Sequence, residues 1–202
     1  MRPAIVQFEL GPMMNFVYLV ADETAGLCAV VDPGWDAAGI SKQAGAKGWR
    51  IEKILLTHSH FDHAGAVDDL VALTKAPVYV HRDDMQDVGI PVTPTQDGTV
   101  IEVGAVKIKC IHTPGHTPGS QCFLTEGAVF TGDTLFIEGC GRVDLPGSDP
   151  RNMLSSLRKL ASLPLDVVVY AGHDYGGKRS ATIGELLKSN QYLRGISEEM
   201  LF

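Results

Sequence analysis

Thr57-His58-Ser59-His60-Phe61-Asp62-His63 follows directly on the apolar run Ile54-Leu55-Leu56. The apolar run reads as a buried strand, and the Ser, Asp and Gly65 beyond it mark a loop at its carboxyl end. That loop packs three imidazoles and one carboxylate into six residues. His and Asp together suit zinc or iron, whereas calcium and magnesium prefer oxygen ligands alone. Alternation of His58, His60 and Asp62 puts all three on one side of an extended loop, with His63 pointing elsewhere. Such a set fits two adjacent metal positions better than one. The plainer reading, a polar loop that happens to be rich in His, needs four ligand-type residues to coincide at this spacing without a metal.

Three later segments carry the same residue types beside glycine. They are His116 in His112-Thr113-Pro114-Gly115-His116-Thr117-Pro118-Gly119-Ser120, Asp133 in Phe130-Thr131-Gly132-Asp133-Thr134-Leu135-Phe136, and His173 in Ala171-Gly172-His173-Asp174-Tyr175. With His58-Ser59-His60-Phe61-Asp62-His63 read as HxHxDH, the four segments resemble, in order, the motifs of the metallo-β-lactamase superfamily. The resemblance runs from residue 57 to 175 and is specific because the order holds. It implies an α/β (α+β) fold, a four-layer αββα sandwich, as a single domain over residues 1–202 with the site where strand ends meet. It also implies one metal on His58, His60 and His116, a second on Asp62, His63 and His173, and Asp133 bridging them. Chemistry agrees with that sharing, since a carboxylate offers two oxygens and each imidazole one nitrogen. Two ions about 3.5–4 Å apart can share a water and lower its pKa from 15.7 to roughly 7. His58, His60, Asp62, His63 and Asp133 are then catalytic as well as ligating.

Composition bounds the rest. With 202 residues, 45% hydrophobic and 20% charged, the chain has room for one sizeable core and is not a disordered sequence. A formal charge of −7 argues against a general nucleic-acid binder. No apolar run approaches a membrane span, and Met1-Arg2-Pro3 leads into a strand-like segment rather than a signal peptide. Cys28, Cys110, Cys122 and Cys140 form no CxxC pair, so reduced thiols and a cytoplasmic location are expected.

Taken in order, Ile5 to Leu10, Phe16 to Ala21 and Leu27 to Asp32 read as antiparallel strands closed by Asp32-Pro33-Gly34. Asp36 caps a helix from Ala37 towards Gly48. After the ligand loop, Ala66 to Thr74 is a helix with Val67, Leu70, Val71 and Leu73 as its inner face. Pro77 to His81 is a strand, and residues 82–98 are mostly loop. Val100 to Val103 with Val106 to Ile111, and Gln121 to Thr125 with Ala128 to Thr131, are hairpins. Ser148-Asp149-Pro150 starts a helix reaching about Leu163, Val167 to Ala171 is the last strand, and Thr182 with Glu185 opens the final helix. Gly115, Gly119, Gly132 and Gly172 flank the ligands. His81 fits no ligand position, His112 is a core or supporting histidine, and Cys140 is small apolar filler.

Within the superfamily, Phe130 to Gly141 and Gly172 to Tyr175 are most similar to the glyoxalase II group, which hydrolyses glutathione thioesters. The resemblance implies that Arg142 and Tyr175 bind a small-molecule thioester, glutathione-derived in that group. Asp144 departs from the pattern, standing where a tyrosine normally touches glutathione. Ending at Phe202, the chain resembles the short bacterial relatives more than the longer enzymes with a C-terminal helical domain. The rival is a persulfide dioxygenase of the same fold, with one iron on His58, His116 and Asp133 and an Arg-x-Asp like Arg142-Val143-Asp144.

Overall fold

β2 (Asn15–Asp22) is buried from end to end, and its side chains alternate between two cores. Phe16, Tyr18 and Val20 enter one, while Val17, Leu19 and Ala21 enter the other. This is the strand's period of two, with apolar residues on both faces because both faces are covered. The structure, a computed structural model, describes residues 1–199. Around β2, β1 (Ala4–Leu10), β3 (Leu27–Val31), β4 (Arg50–Leu55), β5 (Val78–His81) and β6 (Thr93–Thr95) form one sheet, in the order β1-β2-β3-β4-β5-β6. The first three strands run antiparallel and the last four parallel. β7 (Val100–Val103), β8 (Val106–His112), β9 (Gln121–Thr125), β10 (Ala128–Gly132), β11 (Val168–Ala171) and β12 (Ala181–Thr182) form the second, in reverse spatial order. Only β10 and β11 pair in parallel there.

The two sheets face each other across Phe16, Tyr18, Val31, Leu55, Ile108, Phe123 and Phe130. Helices α1 (Ala37–Ala46) and α3 (Val67–Thr74) cover the outer face of the first sheet. Helices α4 (Pro150–Ala161), α5 (Ile183–Ser189) and α6 (Gln191–Glu199) cover the second. The result is the expected αββα sandwich. Tyr18 ties the sheets directly, its hydroxyl donating to Ala171 O at 2.5 Å and accepting from Gln7 Nε2 at 3.2 Å.

The structure departs from the sequence reading at several points. Residues of the ligand loop form a helical turn, α2 (Phe61–Ala64), not an extended segment. Leu73 is 58% exposed. At 3.6 residues per turn it lies about 120° round from Val67, so only Val67 and Leu70 point fully inward. The segment after β5 contains a 3₁₀ turn, Met85–Asp87, and the short edge strand β6. The last helix is two, because Asn190 breaks it. Its Nδ2 donates to Phe136 O and Gly139 O while its Oδ1 accepts from Tyr192 N, closing α5 and opening α6.

Candidate metal centre

The seven expected ligands converge from four strand ends. β4 leads into His58, His60, Asp62 and His63, β8 into His116, β10 into Asp133 and β11 into His173. The α2 turn brings Asp62 and His63 round together, so His63 does not point away from its neighbours. Its ring is fully buried among those of His58 and His173. Two glycines permit the close approach of the sheets here. Gly132 has φ +47°, and a Cβ on it would fall on Thr57 Oγ1. A Cβ on Gly172 would fall on Asp133 Oδ1.

Hydrogen bonds aim one nitrogen of four imidazoles inward. Asp32 accepts from Thr57 Oγ1 at 2.7 Å, so that hydroxyl accepts from His58 Nδ1 at 3.1 Å and leaves His58 Nε2 as a lone pair. His63 Nδ1 donates to Asp32 Oδ2 at 3.1 Å. His116 Nδ1 donates to Arg142 O at 2.9 Å, and His173 Nδ1 to Met13 O at 2.8 Å. The inward nitrogens then face one another: His60 Nδ1 lies 2.9 Å from His116 Nε2, and His63 Nε2 lies 3.1 Å from His173 Nε2. His63 and His173 both donate from Nδ1 outward, so their facing Nε2 atoms would meet lone pair to lone pair and require a shared proton or a metal ion. His60 can instead donate from a neutral Nδ1–H to His116 Nε2 or turn that nitrogen to a metal. His58 Nε2 and Asp133 Oδ1 are buried beside them without a hydrogen-bond partner. Orphaned acceptors of this kind, in a set of His and Asp, fit a zinc or iron centre.

Three overlapping groups have ligand atoms within 4.8 Å of one another: His58, His60 and His116; His58, His63 and Asp133; Asp62, His63 and His173. Asp133 sits among them, Oδ1 at 3.3 Å from His63 Nε2 and Oδ2 at 3.4 Å from His173 Nε2 and 3.6 Å from His116 Nε2. Asp62 is held by Asn15, whose Nδ2 donates to it at 2.9 Å and whose Oδ1 accepts from Trp35 Nε1.

Burial and charge pull the titrating groups of this cluster in opposite directions. Burial and the neighbouring imidazoles, His63 first, hold His58 well below the ordinary histidine value. Burial also opposes charge on His63, but Asp133 and Asp32 outweigh it and keep that ring's pKa well raised. For His173, burial is outweighed by Asp133 and Asp62, and the pKa rises to about 9. Asp62 resists the upward push of burial through His173 and His63 and falls to about 2. Protons on imidazoles thus stand where divalent cations would compete for the same nitrogens.

The profile of the metallo-beta-lactamase superfamily matches residues 10–173. The chain belongs to that superfamily. It is 32% identical over 184 residues to the probable polyketide biosynthesis zinc-dependent hydrolase PksB of Bacillus subtilis, covering 89% of this chain and 82% of that protein. It is 40% identical over 163 residues to a hydroxyacylglutathione hydrolase of Maricaulis maris, which is 80% of this chain but only 62% of that protein. Among solved structures, TTHA1623 in a di-iron-bound form has a TM-score of 0.81 at 34% identity, with 93% of this chain and 100% of that one covered.

In this member of the superfamily the centre opens into a cavity of about 330 Å³ with a largely apolar wall of Met13, Phe61, Phe136, Leu145 and Tyr175. Tyr175 stacks on His173 with ring centroids 4.6 Å apart. Arg142 lines the same cavity, but its Nε and Nη2 each donate to Asp144 at 2.9 Å, so the carboxylate two residues on already occupies it. His81 and His112 lie apart from the centre and stack on each other, 3.9 Å between centroids at 7°. With Asp83 they also bring ligand atoms within 4.8 Å of one another, but the stacked rings hold their lone pairs in parallel planes. His112 Nε2 instead donates to Pro118 O and braces the His116 loop. Asp32, Asn15 and Asp84 were not singled out from the sequence. Asp32 read as a turn residue before Pro33-Gly34 and Asp84 as one carboxylate in a polar loop, and no spacing rule links either to a ligand.

Proposed function

We propose that this chain, a metal-dependent hydrolase of the metallo-beta-lactamase fold, cleaves a thioester at a centre holding two divalent ions. The observation that carries the reading is the set of inward acceptors: two facing imidazole pairs with His58 Nε2 and Asp133 Oδ1 unpartnered between them. One ion would rest on His58, His60 and His116, the other on Asp62, His63 and His173, with Asp133 reaching both. Zinc or iron bound there supplies Lewis acidity to a carbonyl oxygen and lowers the pKa of a coordinated water to roughly 7. The chain's own groups prepare the rest. Asp32, Thr57 and the carbonyls of Met13 and Arg142 fix the tautomers of His58, His63, His116 and His173, so none of those four rings has to turn when substrate arrives. The apolar wall excludes water from the acyl side, and Tyr175 offers a phenol donor at the mouth. Arg142 keeps Nη1 for a substrate carboxylate after Asp144 has taken its other edge.

Similarity to zinc-dependent and hydroxyacylglutathione hydrolases supports hydrolysis and makes glutathione-derived thioesters the first candidates. A second reading, a persulfide dioxygenase with one iron on His58, His116 and Asp133, has the Arg142–Asp144 pair on its side. The two part cleanly in an anaerobic assay. Zinc-loaded protein should hydrolyse S-lactoylglutathione or a simpler thioester under nitrogen, and Asp62→Ala should lose most of that rate. Stoichiometric oxygen uptake with glutathione persulfide by the iron form, with thioester turnover at background, would install the dioxygenase instead.

A further inference from the structure

Asp84 is 1% exposed and belongs to none of the ligand segments. It stands just before the 3₁₀ turn Met85–Asp87, yet its carboxylate makes no capping bond to that turn. Its oxygens are spent on two other segments. Oδ2 accepts from Ser59 N at 3.1 Å, Ser59 Oγ at 3.3 Å and Thr117 Oγ1 at 2.8 Å, and Oδ1 accepts from Gly119 N at 2.6 Å. Ser59 lies between His58 and His60, and Thr117 follows His116. One buried carboxylate, satisfied by neutral donors only, therefore joins the two loops whose imidazoles face each other at 2.9 Å. A buried carboxylate costs solvation that an amide would not, and a structural staple could be built from an amide. Here an amide does not fit: its oxygen can replace Oδ2, but its NH₂ would then meet the Gly119 N–H donor to donor.

We propose that Asp84 is a positioning residue for the metal centre, setting the separation of His60 and His116 and so the grip on the ion they share with His58. The inference rests on the two-ion reading above. The other ligand set is fixed by different groups, Asn15 for Asp62, Asp32 for His63 and Met13 O for His173. Loss of Asp84 therefore acts on one ion and spares the other.

The test is chelator competition on zinc-loaded protein, with the thermal midpoint of each metal-free form measured in parallel. In Asp84→Asn, one zinc should bind about 10–100-fold more weakly, the range typical of outer hydrogen-bond partners of ligands, and the other should be unchanged. Combining Asp84→Asn with His173→Ala should weaken the zinc that remains. Combining it with His60→Ala should leave the remaining zinc as it was. Equal weakening of both ions, or a fall in the metal-free midpoint with both affinities intact, would overturn the proposal. Should Asp84→Asn not fold, Thr117→Val removes one of the bonds and must show the same selectivity in smaller measure; unselective loss overturns the proposal equally. Wild-type stoichiometry is read separately: fewer than two zinc ions per chain would overturn the two-ion reading, while loss of the His58/His60/His116 ion still decides the role of Asp84.

Discussion

Asp32 governs two ligand rings from one carboxylate, His63 directly and His58 through Thr57. That arrangement ties the centre to pH in a direction that can be worked out. Without metal, His173 titrates at about 9 and His63 is likewise raised, both above an unfolded value of 6.5. A raised value means that the folded protein binds the proton more tightly, so this contribution is full below about pH 6.5 and fades as pH climbs towards about 9. Metal-free protein should therefore lose thermal midpoint across that window, and zinc-loaded protein should not, because the ion has replaced the protons. Zinc affinity should rise across the same window as the competing protons leave. Melting curves of both forms from pH 6 to 9.5 check this, and parallel curves would remove the protonated pairs. The His and Asp residues that cluster here were legible because residue type and spacing are local properties. Asp32, Asn15 and Asp84 were not, because the partners named for them lie 20–47 positions away in the chain.

Among the elements, α4 shows how a cap serves the site. Asp149 Oδ1 accepts from Arg151 N and Asn152 N, with Pro150 in the first turn, as the Ser148-Asp149-Pro150 signal predicts. Its backbone N–H also donates to Gly115 O at 2.8 Å, one residue before His116. Asp149→Ala should cost about 1 kcal/mol of stability through the lost cap. The backbone bond to Gly115 survives that change, so zinc content should be untouched. Chemical denaturation with metal analysis tests both halves, and loss of zinc at unchanged stability would contradict them. Hairpins and caps were readable because their signals are contained in a few residues. α2 was missed because four residues carry too little period to declare a helix, and β6 because Thr93–Thr95 gains its partners only from β5.

Across the whole molecule, the first sheet supplies His58, His60, Asp62 and His63, and the second supplies His116, Asp133 and His173. An ion held by residues of both sets would crosslink the two halves of the sandwich. Removing it leaves Tyr18 and the Phe16–Phe123–Phe130 core to hold the sheets together. A ligand bound only by the native state stabilises by RT ln(1 + [L]/Kd), about 4 kcal/mol at a thousandfold excess over Kd. Stripping zinc with a chelator should lower the melting midpoint by many degrees, reversibly on adding zinc back; an unchanged midpoint would mean that no such crosslink exists. The sequence alone determined the His and Asp segments that cluster at the centre, their order along the chain, most strands and the paired sheet-and-helix layout implied by the resemblance. Those follow from local periodicity and from motifs complete within a few residues. Only the tertiary structure decided that Asp144 occupies Arg142, that His81 and His112 stack on each other, and which carboxylates brace which ligands. Each of these depends on the meeting of side chains from separate segments, and one sequence carries no direct record of which segments meet.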